Sequence, residues 1–533
     1  MYTTEKLQNI TKINFGAIVF DDCYSPARIS LIITQFMSGA LTLTKPNSSE
    51  VINPKKVVAV VGSASSGSAL SVGLLLTRLN IPFISSTSSS TDLDDKINYP
   101  YFLRTVPSDN EQAKAMIAII NKMGWEFVSV LYVTNNYGSK GKEAFLQLAN
   151  QSNICVADRP LGIAENSLNT AELSNILFQL RNQKSKVVVY FGTDTKIVEL
   201  LKLMKTSSDD FIFLSSEDWG DKEHILQAGG TVTLGSIIMK FKSHELQDKE
   251  KFVSYTKNLR PESNNRNPWF RELWSGYFYC NLKNTFHVKY PRWCKQDLAF
   301  DETFIESVST DQQIIHTTDA VLATGLGVKN ALEFLCPVTE RQNYPCDNYF
   351  KFPNEVIQRI QEVTLTRSGE DTHIFRKDGN GNIGFEILNV QRSSQDRGPA
   401  YKKVGDYNEG FLMLDSSAIK FYDITNGIVS SMINAGCSGT LCDHCKKQQP
   451  EPVNHVTSTP HVVTSDAFRA ADYVIIGIVS SIVVLIIISL VLFIVCMRKR
   501  FHQIWYHLRL SMIQAFNVHL VPFKIIHDTG LQC

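Results

Sequence analysis

An excess of charge of either sign is missing from this chain: 53 Lys and Arg stand against 52 Asp and Glu in 533 residues. Nothing in that balance implies a nucleic-acid partner or an acidic substrate. Long apolar runs are equally scarce. Only Tyr473 to Met497, 25 residues without a charge, could cross a bilayer with some tilt. No second run follows, so a multi-span membrane domain is not expected. The opening Met1-Tyr-Thr-Thr-Glu-Lys-Leu-Gln8 lacks the apolar core of a signal peptide, although a strand pattern begins by Ile13. Catalytic signatures are wanting too. Gly62-Ser-Ala-Ser-Ser-Gly-Ser68 has neither the lysine of a P-loop nor the spacing of a dinucleotide fingerprint, and Ser66 sits in no nucleophile elbow. We expect no enzyme, no cofactor and no kinase domain.

What is present points outward from the cell. Arg498-Lys-Arg500 follows the apolar run and Asp466 and Asp472 precede it. Positive-inside logic then puts residues 1–472 outside and 498–533 in the cytoplasm. Three sequons, Asn9, Asn47 and Asn150, lie on the outer side, as do nine of the eleven cysteines. Cys280 with Cys294 and Cys336 with Cys346 are local pairs able to close short loops as disulfides. Nine is odd, so at least one outer cysteine lacks an intrachain partner. Cys437-Ser-Gly-Thr-Leu-Cys442-Asp-His-Cys445 reads as oxidised cysteines rather than a zinc cluster, since no second dense ligand pair exists. Lys446 to Ser465, with its prolines and hydroxyls, reads as a stalk. In the tail, Phe501, Ile504, Trp505, Leu508, Met512 and Phe516 share one helical face, which fits either a helix on the inner membrane surface or an arbitrary tail.

A chain of this length needs two or three compact units. Strand patterns at 14–20, 56–62, 81–84, 127–133, 153–158, 186–191 and 211–215 alternate with helical patterns at 27–36, 111–123, 139–149, 170–182 and 195–205. Such alternation predicts parallel sheets with helices on both faces, in two lobes. Beyond Gly229, helices are predicted at 244–259, 267–279 and 311–334. His373 to Leu388 reads as a hairpin about Asp378-Gly-Asn-Gly-Asn382. That turn is no EF-hand, because Ile383 stands where glycine is needed and no glutamate closes the ring at Asn389.

Lys56 to Asp109 organises the rest. Two strands end in serine-rich turns, Ser63 to Ser68 and Ser85 to Ser90, the first opening a helix. Hydroxyls, backbone N–H groups and a helix dipole together favour an anion such as a carboxylate. The stretch closes with Tyr101-Phe-Leu-Arg-Thr-Val-Pro-Ser-Asp109. With Asn135-Asn-Tyr-Gly138 and Asn267-Pro-Trp-Phe270, it resembles the extracellular Venus flytrap domain of metabotropic glutamate receptors, in the class C G-protein-coupled receptor family. The similarity runs from about Ile13 to about Cys442.

The resemblance implies a two-lobed α/β fold like that of periplasmic binding proteins, followed here by one transmembrane helix. It implies disulfides at Cys280–Cys294 and Cys336–Cys346. It further implies that Ser66 and Ser89 hold an amino acid's α-carboxylate, while Asp109, Tyr137 and Glu217 face its α-ammonium. Taken alone, Ser66 and Asp109 would pass for helix caps, Tyr137 for a loop residue and Glu217 for a solvated charge. Glu217 replaces the family's aspartate and Ser89 a threonine. Lys222 stands where many members have an arginine, and Lys351 lies one residue from the family's lysine, so both are candidates for a second anionic group on the ligand. The family's partner for Cys23, a first strand and a distal tyrosine and arginine would lie upstream, and we expect the chain to be N-terminally incomplete. Cys155 matches a position bonded to a cysteine-rich domain; with that domain reduced to three cysteines, Cys155 is expected to be orphaned.

The expected division is a ligand-binding domain at 1–436, with lobe 1 at 1–107 and 236–400 and lobe 2 at 108–235 and 401–436. A remnant and stalk (437–472), the span (473–497) and a cytoplasmic tail (498–533) follow. The function expected is a plasma-membrane, single-pass receptor binding glutamate or another α-amino acid, with lobe closure as the signal. Alternatives are a fragment or isoform of a larger seven-helix or single-span kinase receptor, or a non-signalling decoy or binding module. A G protein would be a partner only if a longer form carries a seven-helix domain. Ser30, Thr34, Leu75 and Arg78 fall at the family's dimer positions, and only Leu75 is apolar, so at most a weak homodimer, or a heteromer, is expected.

Overall fold

Phe83-Ile84-Ser85 and Phe102-Leu103-Arg104 are strands buried on both faces, and their alternation sorts the first lobe into two cores. In the computed structural model of the protein they pair in parallel, with Val60–Val61 on the outer side of Phe83–Ser85. Phe83 and Phe102 pack with Ile29, Ile33, Ala69, Val72 and Leu76 from the helices Pro26–Met37 and Ser66–Arg78. Ile84 and Leu103 face the opposite core, with Ala320, Ala323, Val356 and Ile360 from Gln312–Leu335 and Pro353–Gln361. The period of two along a strand gives each residue its side. The structure describes residues 11–445 except 12, 14, 46–47, 167–169, 208, 247–248, 265–266, 268, 284–288, 340–344, 368–369, 395–397, 423–427 and 430–444.

The expected strand near 14–20 is not found: residues 15–20 form no ladder. Phe15 and Phe20 lean on the two cores, but Gly16, Ala17 and Val19 stay exposed, so neither face of the segment is covered.

The second lobe is a nine-stranded sheet. Its order is Phe411–Leu414, Pro399–Asn408, Phe385–Arg392, Ile237–Phe241, Ile212–Ser215, Val187–Phe191, Phe127–Val133 and Cys155–Val156, with Leu161–Ile163 also pairing to Phe127–Val133. The centre is parallel. Ile237–Phe241 pairs in parallel with Ile212–Ser215 and antiparallel with Phe385–Arg392. Val187, Val189 and Phe191 enter one core and Val188 and Tyr190 the other, so this central strand is apolar throughout. This sheet moves the expected lobe limits: the second lobe extends through Phe241 rather than 235 and resumes at Phe385 rather than 401. The 81–84 and 186–191 patterns land within a residue or two of their strands, the 153–158 pattern shortens to Cys155–Val156, and Leu161–Ile163 is a further strand that was not expected.

Between the lobes run three crossings. Thr105 to Ser108 is one; Lys242 and Gly384 mark the others and are joined by the Lys242 N–H donating to Gly384 O at 2.9 Å. The 378–382 turn packs on the first of these: Arg104 N donates to Gly379 O (3.0 Å) and Gly381 N to Val106 O (3.0 Å). The hairpin expected from His373 to Leu388 shrinks to the antiparallel Phe375–Gly381 bridge about this turn, with Asn382 N donating to Ile374 O at 2.9 Å, because Phe385–Arg392 is drawn into the second sheet; beside it Thr364–Arg367 pairs with Glu370–His373.

The helices expected at 244–259 and 267–279 are shorter, Lys249–Lys257 and Phe270–Phe278. A further helix, Glu302–Thr310, opens on an Asp301 cap that accepts from Phe304 N at 2.8 Å. Phe270, Trp274, Phe300 and Ile305 form their core, closed by Cys280–Cys294. Cys336–Cys346 is likewise bonded. Two cysteine expectations are corrected: Cys155 bonds Cys445 across 290 residues, with 5.7 Å between Cα atoms, and Cys23 is disulfide-bonded. The apolar run 473–497 lies outside the described residues, as do the tail and most of the stalk. Among the described residues no helix is long and apolar enough to cross a membrane.

Candidate functional site

The serine turns meet at the C-terminal ends of the first lobe's strands. Ser65, not Ser66, caps the helix Ser66–Arg78, its hydroxyl accepting from Ser68 N at 3.4 Å. Ser66 is thereby left in the first helical position, buried, with its Oγ accepting from Ser90 N at 3.3 Å. Ser85 and Ser88 each donate to Ser63 O, at 2.9 and 2.8 Å, which stitches the two turns together. The fully buried Arg104 holds the second turn in shape. Its guanidinium donates to Ser88 O (3.1 Å), Ser90 O (2.9 Å) and Asn380 Oδ1 (2.6 Å), and pairs with Asp94. Such a fork suits divergent acceptors. Sequence reasoning assigned Arg104 no role; its signal was a charge at the end of an otherwise apolar strand.

Ser108 caps the helix Asp109–Met123, accepting from Asn110 N at 3.2 Å, so Asp109 is spared that task as well. Asp109 N donates to Ser89 O at 2.8 Å, which binds the hinge to the serine turn. Ser89 meets Asp109 side chain to side chain, and among the described residues neither Ser89 Oγ nor Asp109 Oδ2 has a hydrogen-bond partner beyond that contact; both residues are buried. Buried polar atoms left in that condition are costly unless something completes them.

Gln112 carries the network into the second lobe. Its Nε2 donates to Asp109 Oδ1 at 3.0 Å, and its Oε1 accepts from Glu217 N at 2.8 Å. Glu217 Oε2 accepts from the Tyr137 hydroxyl at 2.5 Å. Tyr137 is set by Asn135, whose side chain caps the helix Asn136–Gln151 by accepting from Gly138 N at 2.9 Å. Gly138 has no alternative, since a Cβ there would lie 2.2 Å from Val133 O. Burial lifts the Glu217 carboxyl to about 7, Asp218 adding to the effect and the Tyr137 hydrogen bond opposing it. Burial, then the Glu217 charge, pushes Asp109 well above the carboxylate range, against the pull of Arg104. Burial and the same two carboxylates hold the Tyr137 phenol well above its ordinary value.

Ser66, Ser89, Asp109, Tyr137 and Glu217 are thus joined in one chain of contacts, with Gln112 as the link that sequence reasoning missed. Lys222 lies beside them but is committed. Its Nζ bonds Asp194 Oδ2 and Asp218 Oδ1, each at 3.0 Å. Lys351 is exposed at the end of Asp347–Lys351 and makes no hydrogen bond or ion pair to these residues. Asn150 is exposed in the last turn of its helix, while Asn9 and Asn47 lie outside the described residues. Among the described residues no group of three His, Cys, Asp or Glu side chains could hold a metal.

The geometry offers hydroxyls at a helix N-terminus on one side and buried carboxylates with a phenol on the other, a setting for a small zwitterion. Residues 4–393 match the family described as the receptor family ligand binding region (ANF_receptor).

Proposed function

The chain belongs to the receptor family ligand binding region, and from that premise we propose that it binds an α-amino acid between its two lobes as part of a cell-surface receptor. Ser66 and Ser89 take the α-carboxylate, and Tyr137, Glu217 and Asp109 take the α-ammonium. The observation that carries this reading is the buried, incomplete pair Ser89 Oγ and Asp109 Oδ2 at the joint between the lobes. Ligand contacts complete both at once, and only when the lobes are together, so binding is coupled to closure. The ligand undergoes no reaction; the change in lobe angle is the output. Tyr473 to Met497 anchors the protein in the plasma membrane with the ligand-binding domain outside.

Calorimetry with the common amino acids tests this. Ser66→Ala and Ser89→Ala each remove a charge-assisted hydrogen bond worth roughly 1.5–3 kcal/mol, so each should weaken the bound amino acid about ten- to hundredfold. If no amino acid binds, or if both variants bind as the parent does, the reading fails.

A further inference from the structure

Within the site just described, the wall contributed by the second lobe is acidic beyond what an α-ammonium needs. Asp194 and Asp218 follow the C-terminal ends of the neighbouring strands Val187–Phe191 and Ile212–Ser215, on the same edge as Tyr137 and Glu217. Asp194 N donates to Asp218 Oδ2 at 2.8 Å, which locks the two carboxylates side by side. Lys222 lies between them, and its charge is held by both. Burial works against that ammonium, and the Asp218 and Asp194 carboxylates outweigh it. Three carboxylates, Glu217, Asp218 and Asp194, therefore stand against one ammonium. His224 Nε2 reaches Asp194 Oδ2 at 3.4 Å and adds charge only when protonated.

Among the described residues, no first-lobe cation is paired with Asp194 or Asp218. Facing this cluster is the loop before Pro26–Met37, where Tyr24 is largely exposed and lies within electrostatic reach of Asp218, Lys222 and Asp194. Beside it, Asp22 Oδ2 accepts from Ser63 Oγ at 3.0 Å and adds another acid next to the serine turn. Arg104 is closed off by Asp94, Asn380 and the serine carbonyls, and on the second lobe Lys140 is paired with Asp92 and Glu143. The cluster adjoins the buried Asp109 through Tyr137 and Glu217, since Asp109 and Asp218 both act on the Tyr137 phenol that Glu217 holds, so it belongs to a ligand site and not merely to a solvated rim.

Resting on the α-amino-acid reading, we propose that the ligand carries a second, cationic group, as basic amino acids do, and that the cleft discriminates against dicarboxylic ones. Once an α-ammonium has taken Glu217, a distal ammonium or guanidinium finds Asp194 and Asp218 with one lysine between them and the Tyr24 ring opposite. A distal carboxylate in the same place must break the Lys222 pairs or sit unpaired among acids, which is specificity by repulsion as well as attraction.

Calorimetry on the full chain in detergent, with lysine, alanine and glutamate, decides the matter. Lysine should bind roughly tenfold or more tighter than alanine, and glutamate more weakly than alanine. In the double variant Asp194→Asn, Asp218→Asn the lysine-to-alanine ratio should fall to about threefold or less, with a thermal melt reporting that the variant is folded. Glutamate binding tighter than alanine, or a lysine preference that is absent or survives the double variant, overturns the inference while leaving the α-amino-acid reading standing. Failure of all three to bind overturns the inference, and failure of every common amino acid to bind overturns both.

Discussion

At the scale of single residues the site is governed by burial. Glu217 is a charged side chain taken out of water beside Asp218, and hydrogen bonds from Tyr137, Gln112 and its own backbone compensate it in part. Its folded value, about 7, lies above the ordinary 4.5. Stability drawn from the protonated form is therefore fully present below the unfolded value and is lost as pH rises through about 7. Glu217→Gln should accordingly gain in melting temperature on the parent protein as pH is raised from 5 to 8. A gap that stays constant or narrows over that range would refute the assignment. The residue types at 66, 89, 109, 137 and 217 were legible in the sequence through motif positions. Their burial was not, because Glu217 reads as a surface acid until Gln112 and Tyr137 are packed against it.

At the scale of elements, caps and close approaches decide which residues are spared a structural task. Ser65 and Ser108 cap their helices, and so release Ser66 and Asp109. Gly138 is required by contact with backbone: a Cβ would meet Val133 O at 2.2 Å and Phe191 O at 2.9 Å. Neither can move without disturbing the sheet, so Gly138→Ala should cost at least ~2 kcal/mol in a urea titration. Gly124, by contrast, ends its helix at φ 66° with nothing within 4 Å. Asparagine tolerates that conformation, and Gly124→Asn should cost less than about 1 kcal/mol. Equal losses at the two positions would show that the close approach is not what constrains Gly138. The strands Phe83–Ser85, Phe127–Val133, Val187–Phe191 and Ile212–Ser215 were legible as apolar runs, since a strand covered on both faces needs no alternation. The assignment of Ile237–Phe241 and Phe385–Arg392 to the second lobe was not, because an apolar strand carries no mark of which sheet it joins.

At the scale of the whole ligand-binding domain, Asp92 supplies direct polar contacts between the lobes. Asp92 of the first lobe accepts from Asn136 Nδ2 at 2.9 Å and pairs with Lys140 Nζ at 3.2 Å. These groups are half-exposed, and pairs of that kind are worth about 1 kcal/mol or less. Asp92→Ala should therefore weaken ligand binding by no more than about fivefold, by shifting the lobes toward the open state. Small-angle scattering of the ligand-free variant should show a larger radius of gyration than that of the parent. An unchanged radius with unchanged affinity would mean that this contact does not set the lobe equilibrium. The sequence by itself determined the two parallel-sheet lobes, the local Cys280–Cys294 and Cys336–Cys346 bonds and the small-hydroxyl turns. All of these follow from periodicity, short spacing and turn chemistry, or from motifs that occupy a few consecutive residues. Only the tertiary structure decided where the chain crosses between lobes, that Cys155 reaches Cys445, and that Lys222 is already neutralised. Those outcomes depend on groups far apart in the chain arriving at one place, where burial and pairing set the charge that each one keeps.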